Sequence, residues 1–96
     1  MFDINFSKAY RQATRMEQCA TELRQQYMKL GSVIHEIRRN WQGDISAAYL
    51  KKLEAFNDEL KDNAEKFNKF AIAYRSKVDS IREAEEEASK ALLYKA

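Results

Sequence analysis

The sequence has no proline and only two glycines in 96 residues, so there are few places where a helix must stop. It has one cysteine, Cys19, which excludes an intramolecular disulfide and a cysteine zinc cluster. It has one histidine, His35, and without a second histidine or a paired cysteine a zinc site has nothing to build on. No apolar run approaches the ~20 residues that cross a bilayer, so no stable membrane insertion is expected. The opening, MFDINFSKAY, lacks the basic start and apolar core of an ordinary secretory signal peptide. Charge of one sign is missing too: 17 Lys and Arg stand against 15 Asp and Glu. The resulting +2 is not the basic field of a nucleic-acid binder. Arg38-Arg39 and Lys51-Lys52 have acids nearby and read as solvated surface. The densest acids, Glu83, Glu85, Glu86 and Glu87, have no histidine beside them and read as a wet helix face rather than acid–base machinery. Neither an enzyme nor a cofactor is expected.

What the chain does have is apolar period. Hydrophobic residues make up 45% and charged residues 33%, too apolar for a disordered chain and too charged for a membrane one. From Phe2 through Phe6, Ala9, Ala13 and Met16 to Ala20, apolar residues recur at spacings of 4 and 3. The alternation continues through Leu23, Tyr27, Leu30, Ile34 and Ile37 to Trp41. This is a heptad seam, and it predicts an amphipathic helix over about 7–40. Gly31 falls inside it. The residue costs about 1 kcal/mol relative to alanine there and marks either a close backbone approach or a mild irregularity.

A second helix is expected over about 45–92. Its seam reads Tyr49, Leu53, Phe56, Leu60, Phe67, Ala71, Tyr74, Val78, Ile81, Ala88 and Leu92. The period breaks between Leu60 and Phe67 and again at Glu85. Phe70 and Ala64 widen the stripe beyond what one facing helix covers. The last stretch, REAEEEASKALLYKA, is poor in large apolar residues and is expected to fray or overhang.

The turn between them falls on NWQGD, residues 40–44. A link this short forces an antiparallel hairpin. Gly43 can take a positive φ without Cβ strain, and Asp44 stands where an N-cap belongs, with Ser46 as the alternative. Trp41 ends the first seam and plugs the turn end of the core. The expected fold is therefore all-α: one domain over 1–96, a two-helix hairpin with its turn at 41–44. One layer of contact cannot shield a wide stripe, so two hairpins are expected to pair into a four-helix bundle. Tyr49, Phe56, Leu60, Phe67, Phe70 and Tyr74 are the expected interface.

Trp41-Gln42-Gly43 in a mid-chain turn between two long amphipathic helices resembles the WXG (ESAT-like) family of small type VII secretion proteins. The resemblance covers the whole chain and extends into WQGDISAAYLKKLEAF, with small residues after the glycine and then Tyr49. It implies a non-enzymatic protein exported as a dimer, or a targeting partner for a larger effector. The implied partners are a second copy, a WXG-like paralogue or the helical N-terminal domain of a type VII toxin, together with the secretion ATPase. The implied location is outside the cell or on its surface, with a cytoplasmic pool. Trp41 and Gly43 are the positions that match the family's motif. The family's C-terminal Tyr-x-x-x-Asp/Glu signal has no counterpart, since Tyr74 is followed four residues later by Val78. A partner would then supply it. The other reading is a cytosolic structural coiled-coil hairpin unrelated to secretion.

The turn generates a test. If Trp41 only plugs a core, Trp41→Ala costs on the order of 3–5 kcal/mol in urea unfolding. If the ring is a recognition surface, folding changes far less and secretion fails, as expected of an exposed tryptophan hot spot. A mixed outcome weighted to the second is expected, because only one side of a ring that ends the seam can be packed by its own hairpin. Normal secretion with a normal unfolding midpoint would sink both the recognition role and the family resemblance.

Overall fold

A computed structural model describes residues 4–40 and 44–95; the side chains of 44–46 and 95 are outside the description, as are Trp41 and Gly43. The described residues form two helices, α1 (Phe6–Asn40) and α2 (Asp44–Lys95), and no strand. Asn5 caps α1: its Oδ1 accepts from the Lys8 N–H at 3.0 Å, which satisfies one of the orphan donors of the first turn. Arg38 and Arg39 close the helix at the end where its dipole favours cations. At ~1.5 Å per residue, the 52 residues of α2 span about 78 Å, close to the 80 Å long dimension of the molecule. So α2 is the backbone of the hairpin and α1 lies along it.

The helices run antiparallel. Arg38 pairs with Glu54 near the turn, Glu17 with Arg75 along the middle, and Tyr10 bonds Asp79 towards the far end. The first seam is as expected: from Phe6 to Ile37, every described position of it is buried or half-buried.

The second seam differs from the reading above in three places. It starts on Leu50, not Tyr49, and runs through Leu53, Asn57 and Leu60. Tyr49 and Phe56, one residue earlier, are 61% and 57% exposed. It does not break after Leu60, because Ala64 is 3% exposed and carries the period to Phe67. It does not break at Glu85 either, which is half-buried in register between Ile81 and Ala88. Glu83, Glu86 and Glu87 are exposed. The chain also does not fray after Leu92 but stays helical to Lys95. It does overhang: Phe6, the first residue of α1, lies beside Glu85, Glu86, Ser89 and Lys90, and residues 91–94 beyond it are exposed.

The core is thin and made of small residues. Ala13, Ala20, Ala64 and Ala71 are at most 4% exposed, joined by Ile34 and Val78. Among the described residues no large side chain is fully buried. Alanine at these positions lets the two backbones approach, and the larger seam residues lie half-covered at the edges of the contact.

Gly31 is not at a close backbone approach. It faces a side chain, not a backbone: a Cβ built on it would lie 3.5 Å from Asn57 Nδ2, an ordinary van der Waals distance. The Oδ1 of Asn57 is buried without a partner.

Two substitutions should therefore move stability in opposite directions. Gly31→Ala adds a methyl where there is room and is expected to raise stability by about 1 kcal/mol. Ala71→Leu forces bulk into a fully buried position and is expected to lower it by about 1–3 kcal/mol. Urea unfolding of the two variants checks both signs.

Candidate interaction surface

Take the seam positions as a and d of a heptad. The remaining inward-leaning positions, e and g, then fall on the two flanks of the hairpin. In an antiparallel pair, e faces e and g faces g.

The e flank is polar and tied together. Arg75 donates to Glu17 Oε1 at 2.5 Å and to Thr14 Oγ1 at 3.0 Å. Arg38 and Glu54 form a second pair on the same side. Tyr10 donates its hydroxyl to Asp79 at 2.5 Å. The guanidinium groups of Arg75 and Arg82 stand 5.7 and 5.8 Å from the centre of its ring, within cation–π range. Arg82 is in turn held by Glu86 one turn on, at 3.2 Å. These are half-exposed or exposed groups, and solvent screening leaves each pair little net stabilisation. Their geometry has a clear effect on titration. The bond to Asp79, then desolvation, hold the Tyr10 phenol above its usual 10.0, against the pull of Arg82. Glu17 raises Arg75, while Tyr10 and then Glu86 raise Arg82.

The g flank is different in kind. On α1 it carries Asn5, Gln12, Cys19, Gln26, Val33 and Asn40, none of them charged. On α2 it carries Tyr49, Phe56, Asn63 and Phe70 before the first charge, Lys77. Tyr49, Phe56 and Phe70 are each 57–61% exposed, Val33 is 48% exposed, and Cys19 is an exposed free thiol. Tyr74, on the seam, donates to Gln12 at 2.8 Å and so closes this side of the junction. Charged residues lie outside the flank at the c positions: Arg15, Glu22, Lys29 and Glu36 on α1, and Lys52, Glu59 and Lys66 on α2. An uncharged strip with exposed aromatics inside a charged border has the anatomy of a protein–protein contact.

Of the expected interface residues, Tyr49, Phe56 and Phe70 share this flank at seven-residue intervals, with Asn63 filling the gap. Leu60, Phe67 and Tyr74 are seam positions, half-buried between the helices. The e-flank cluster around Tyr10 and Arg75 escaped the sequence reading. Its signal is the e-position charge, which becomes visible once the α2 register is right. Among the described residues no group of His, Cys, Asp and Glu is placed to hold a metal ion, and no helix is long and apolar enough to cross a membrane. The clefts are open grooves along the helix junction, one of them lined by Ala20, Tyr27 and Ala64. No family model, curated protein or solved structure matches the chain.

The Tyr10 bond makes a signed prediction. A phenol whose folded pKa is raised above its unfolded 10.0 contributes stability that is present below that value and lost as pH rises through the folded pKa. Tyr10→Phe should therefore flatten the fall in melting temperature above about pH 10, and one phenol should vanish from the absorbance titration. An unchanged alkaline profile would show that the Asp79 bond does not matter in solution.

Proposed function

We propose that this chain is a non-enzymatic binding protein of the WXG (ESAT-like) kind, which joins a second helical hairpin in a bundle and serves type VII secretion. The observation that carries the binding half is the division of the flanks. One side satisfies its own charges within the hairpin, and the other leaves Tyr49, Phe56 and Phe70 uncovered on an uncharged strip. Exposed aromatics on one face of a monomeric chain are costly to solvate and gain most from a partner. The secretion half rests on the resemblance carried by Trp41-Gln42-Gly43. The partner in this reading is a second copy, a paralogue or the helical N-terminal domain of a type VII toxin, and the secretion ATPase acts on the pair. Since Tyr74 has Val78 four residues later, a second copy lacks the export signal too, and only a paralogue or toxin partner would supply it. The protein is then found outside the cell or on its surface, with a cytoplasmic pool. The laced e flank and the unbroken heptads also favour a second reading, a structural coiled-coil hairpin that stays in the cytosol.

Secretion separates the two. In the native host, the tagged chain should reach the medium only when the type VII ATPase is intact. Phe56→Glu with Phe70→Glu should abolish that export while moving the urea midpoint by no more than ~0.5 kcal/mol, since both rings are already exposed. Retention of the wild-type chain in the cytosol, with or without the ATPase, would leave only the structural reading.

A further inference from the structure

The e flank is a ladder, and the hairpin register fixes its rungs. Stepping by heptads, forward on α1 and backward on α2, Tyr10 faces Arg82, Glu17 faces Arg75, Arg24 faces Asn68, Gly31 faces Lys61 and Arg38 faces Glu54. Three of these rungs are closed. Glu17 pairs with Arg75 at 2.5 Å, Arg38 pairs with Glu54, and the Arg82 guanidinium stands 5.8 Å from the centre of the Tyr10 ring. The two middle rungs are open. Each sets a cation against a residue that cannot neutralise it: Arg24 against Asn68, and Lys61 against Gly31.

The two cations are not equivalent. Lys61 has Asp58 and Glu65 one turn away on its own helix, so its charge is offset locally. Arg24 has Ala20, Thr21, Tyr27 and Met28 at those spacings, and none is acidic. Glu17, one heptad back, is taken by Arg75. Among the described residues, Arg38, Arg75 and Arg82 each bond a carboxylate, and Arg24 bonds none.

Arg24 also stands at a groove. Ala20 and Ala64 are at most 4% exposed, and the bulk they lack leaves a space of about 350 Å³ above them. Arg24 and Tyr27 line it from α1, Glu65 and Asn68 from α2. The guanidinium fork matches a carboxylate with two parallel N–H bonds, and the Asn68 amide adds a neutral donor. Glu65 limits the charge of what enters. It shares the groove without pairing to Arg24, so a dianion such as phosphate is repelled more strongly than a single carboxylate. Met28, one turn on from Arg24, is 55% exposed and gives an apolar ledge beside the half-buried Tyr27.

We propose that this open rung binds a carboxylate, presented by an acidic side chain of a protein partner that carries an apolar residue next to it. The incoming group completes the ladder as Glu17 and Glu54 complete theirs. The site lies on the flank away from Tyr49, Phe56 and Phe70. It depends neither on secretion nor on what covers that strip.

Nuclear magnetic resonance of the isotope-labelled full chain tests it. Acetate replacing chloride at constant ionic strength should shift the Arg24 Nε–H and the Asn68 side-chain amide together, to saturation. Arg39, exposed near the end of α1, should respond only linearly. A peptide blocked at both ends, with one glutamate followed by leucine, should saturate at about tenfold lower concentration, because its leucine covers Tyr27 and Met28. Asn68→Glu places a carboxylate on the missing rung. It should move the Arg24 signal towards its acetate-saturated position and abolish the response to peptide. Arg24→Gln should keep the backbone amide pattern of the fold and lose the Asn68 response. An Arg24 signal that follows acetate as linearly as Arg39 overturns the site, as does an Asn68 response that survives Arg24→Gln. Phosphate saturating below acetate overturns the carboxylate as ligand. A peptide that binds no better than acetate overturns a protein side chain as its source.

Discussion

The close approach of two helices across Ala13, Ala20, Ala64 and Ala71 is the constraint from which the rest of the molecule follows. Alanine brings the backbones near, but it buries little area and leaves no room for a large side chain between the axes. The larger seam residues, Leu23, Tyr27, Leu30 and Phe67 among them, can then be only half-covered. A hairpin with one layer of contact has no second layer to finish the job. The elongated form, with a radius of gyration of 22.1 Å against about 12.5 Å for a compact chain of this length, expresses the same shortage of core.

The seam half-covers Phe6, Tyr27, Phe67 and Tyr74, and the exposed aromatics stand beside it. Their distribution is not even. The charges that lean inward are gathered on one flank, where Glu17, Arg75, Tyr10 and Asp79 satisfy one another. Such exposed pairs add little net stability. Their effect is on choice: they fix antiparallel orientation and register, and they make that flank a poor place for an apolar partner. The opposite flank is left without charge from Tyr49 to Phe70, and so without the desolvation penalty that a partner would otherwise face there.

The first helix was legible in the sequence because every seam position is apolar and no competing stripe runs beside it. The second was legible as a helix but not in its register, for a specific reason. Tyr49 and Phe56 stand one residue before the true seam positions Leu50 and Asn57, and an aromatic outweighs an asparagine in any reading by hydrophobicity. One residue is about 100° around a helix. The same error hid Ala64, whose methyl is too small to announce a buried seam position, and Glu85, which looked like an interruption. Once the register is wrong, the flanks cannot be told apart. The uncharged strip from Tyr49 to Phe70 was therefore in the sequence but unreadable until the burial of Ala64 and Ala71 fixed the phase.

Asn57 explains why the hairpin keeps one register at all. An alanine seam is smooth: moved by a heptad, one alanine would meet another about as well, and packing alone would discriminate weakly. Asn57 is not smooth. It is a polar side chain on an apolar seam, with its Oδ1 buried and unpartnered and its Nδ2 3.5 Å from where a Gly31 Cβ would stand, an ordinary contact. A polar a-position residue that costs stability and specifies register is a known device of coiled coils. The phase of α2 that it helps to hold is what puts Tyr49, Phe56 and Phe70 on the uncharged side.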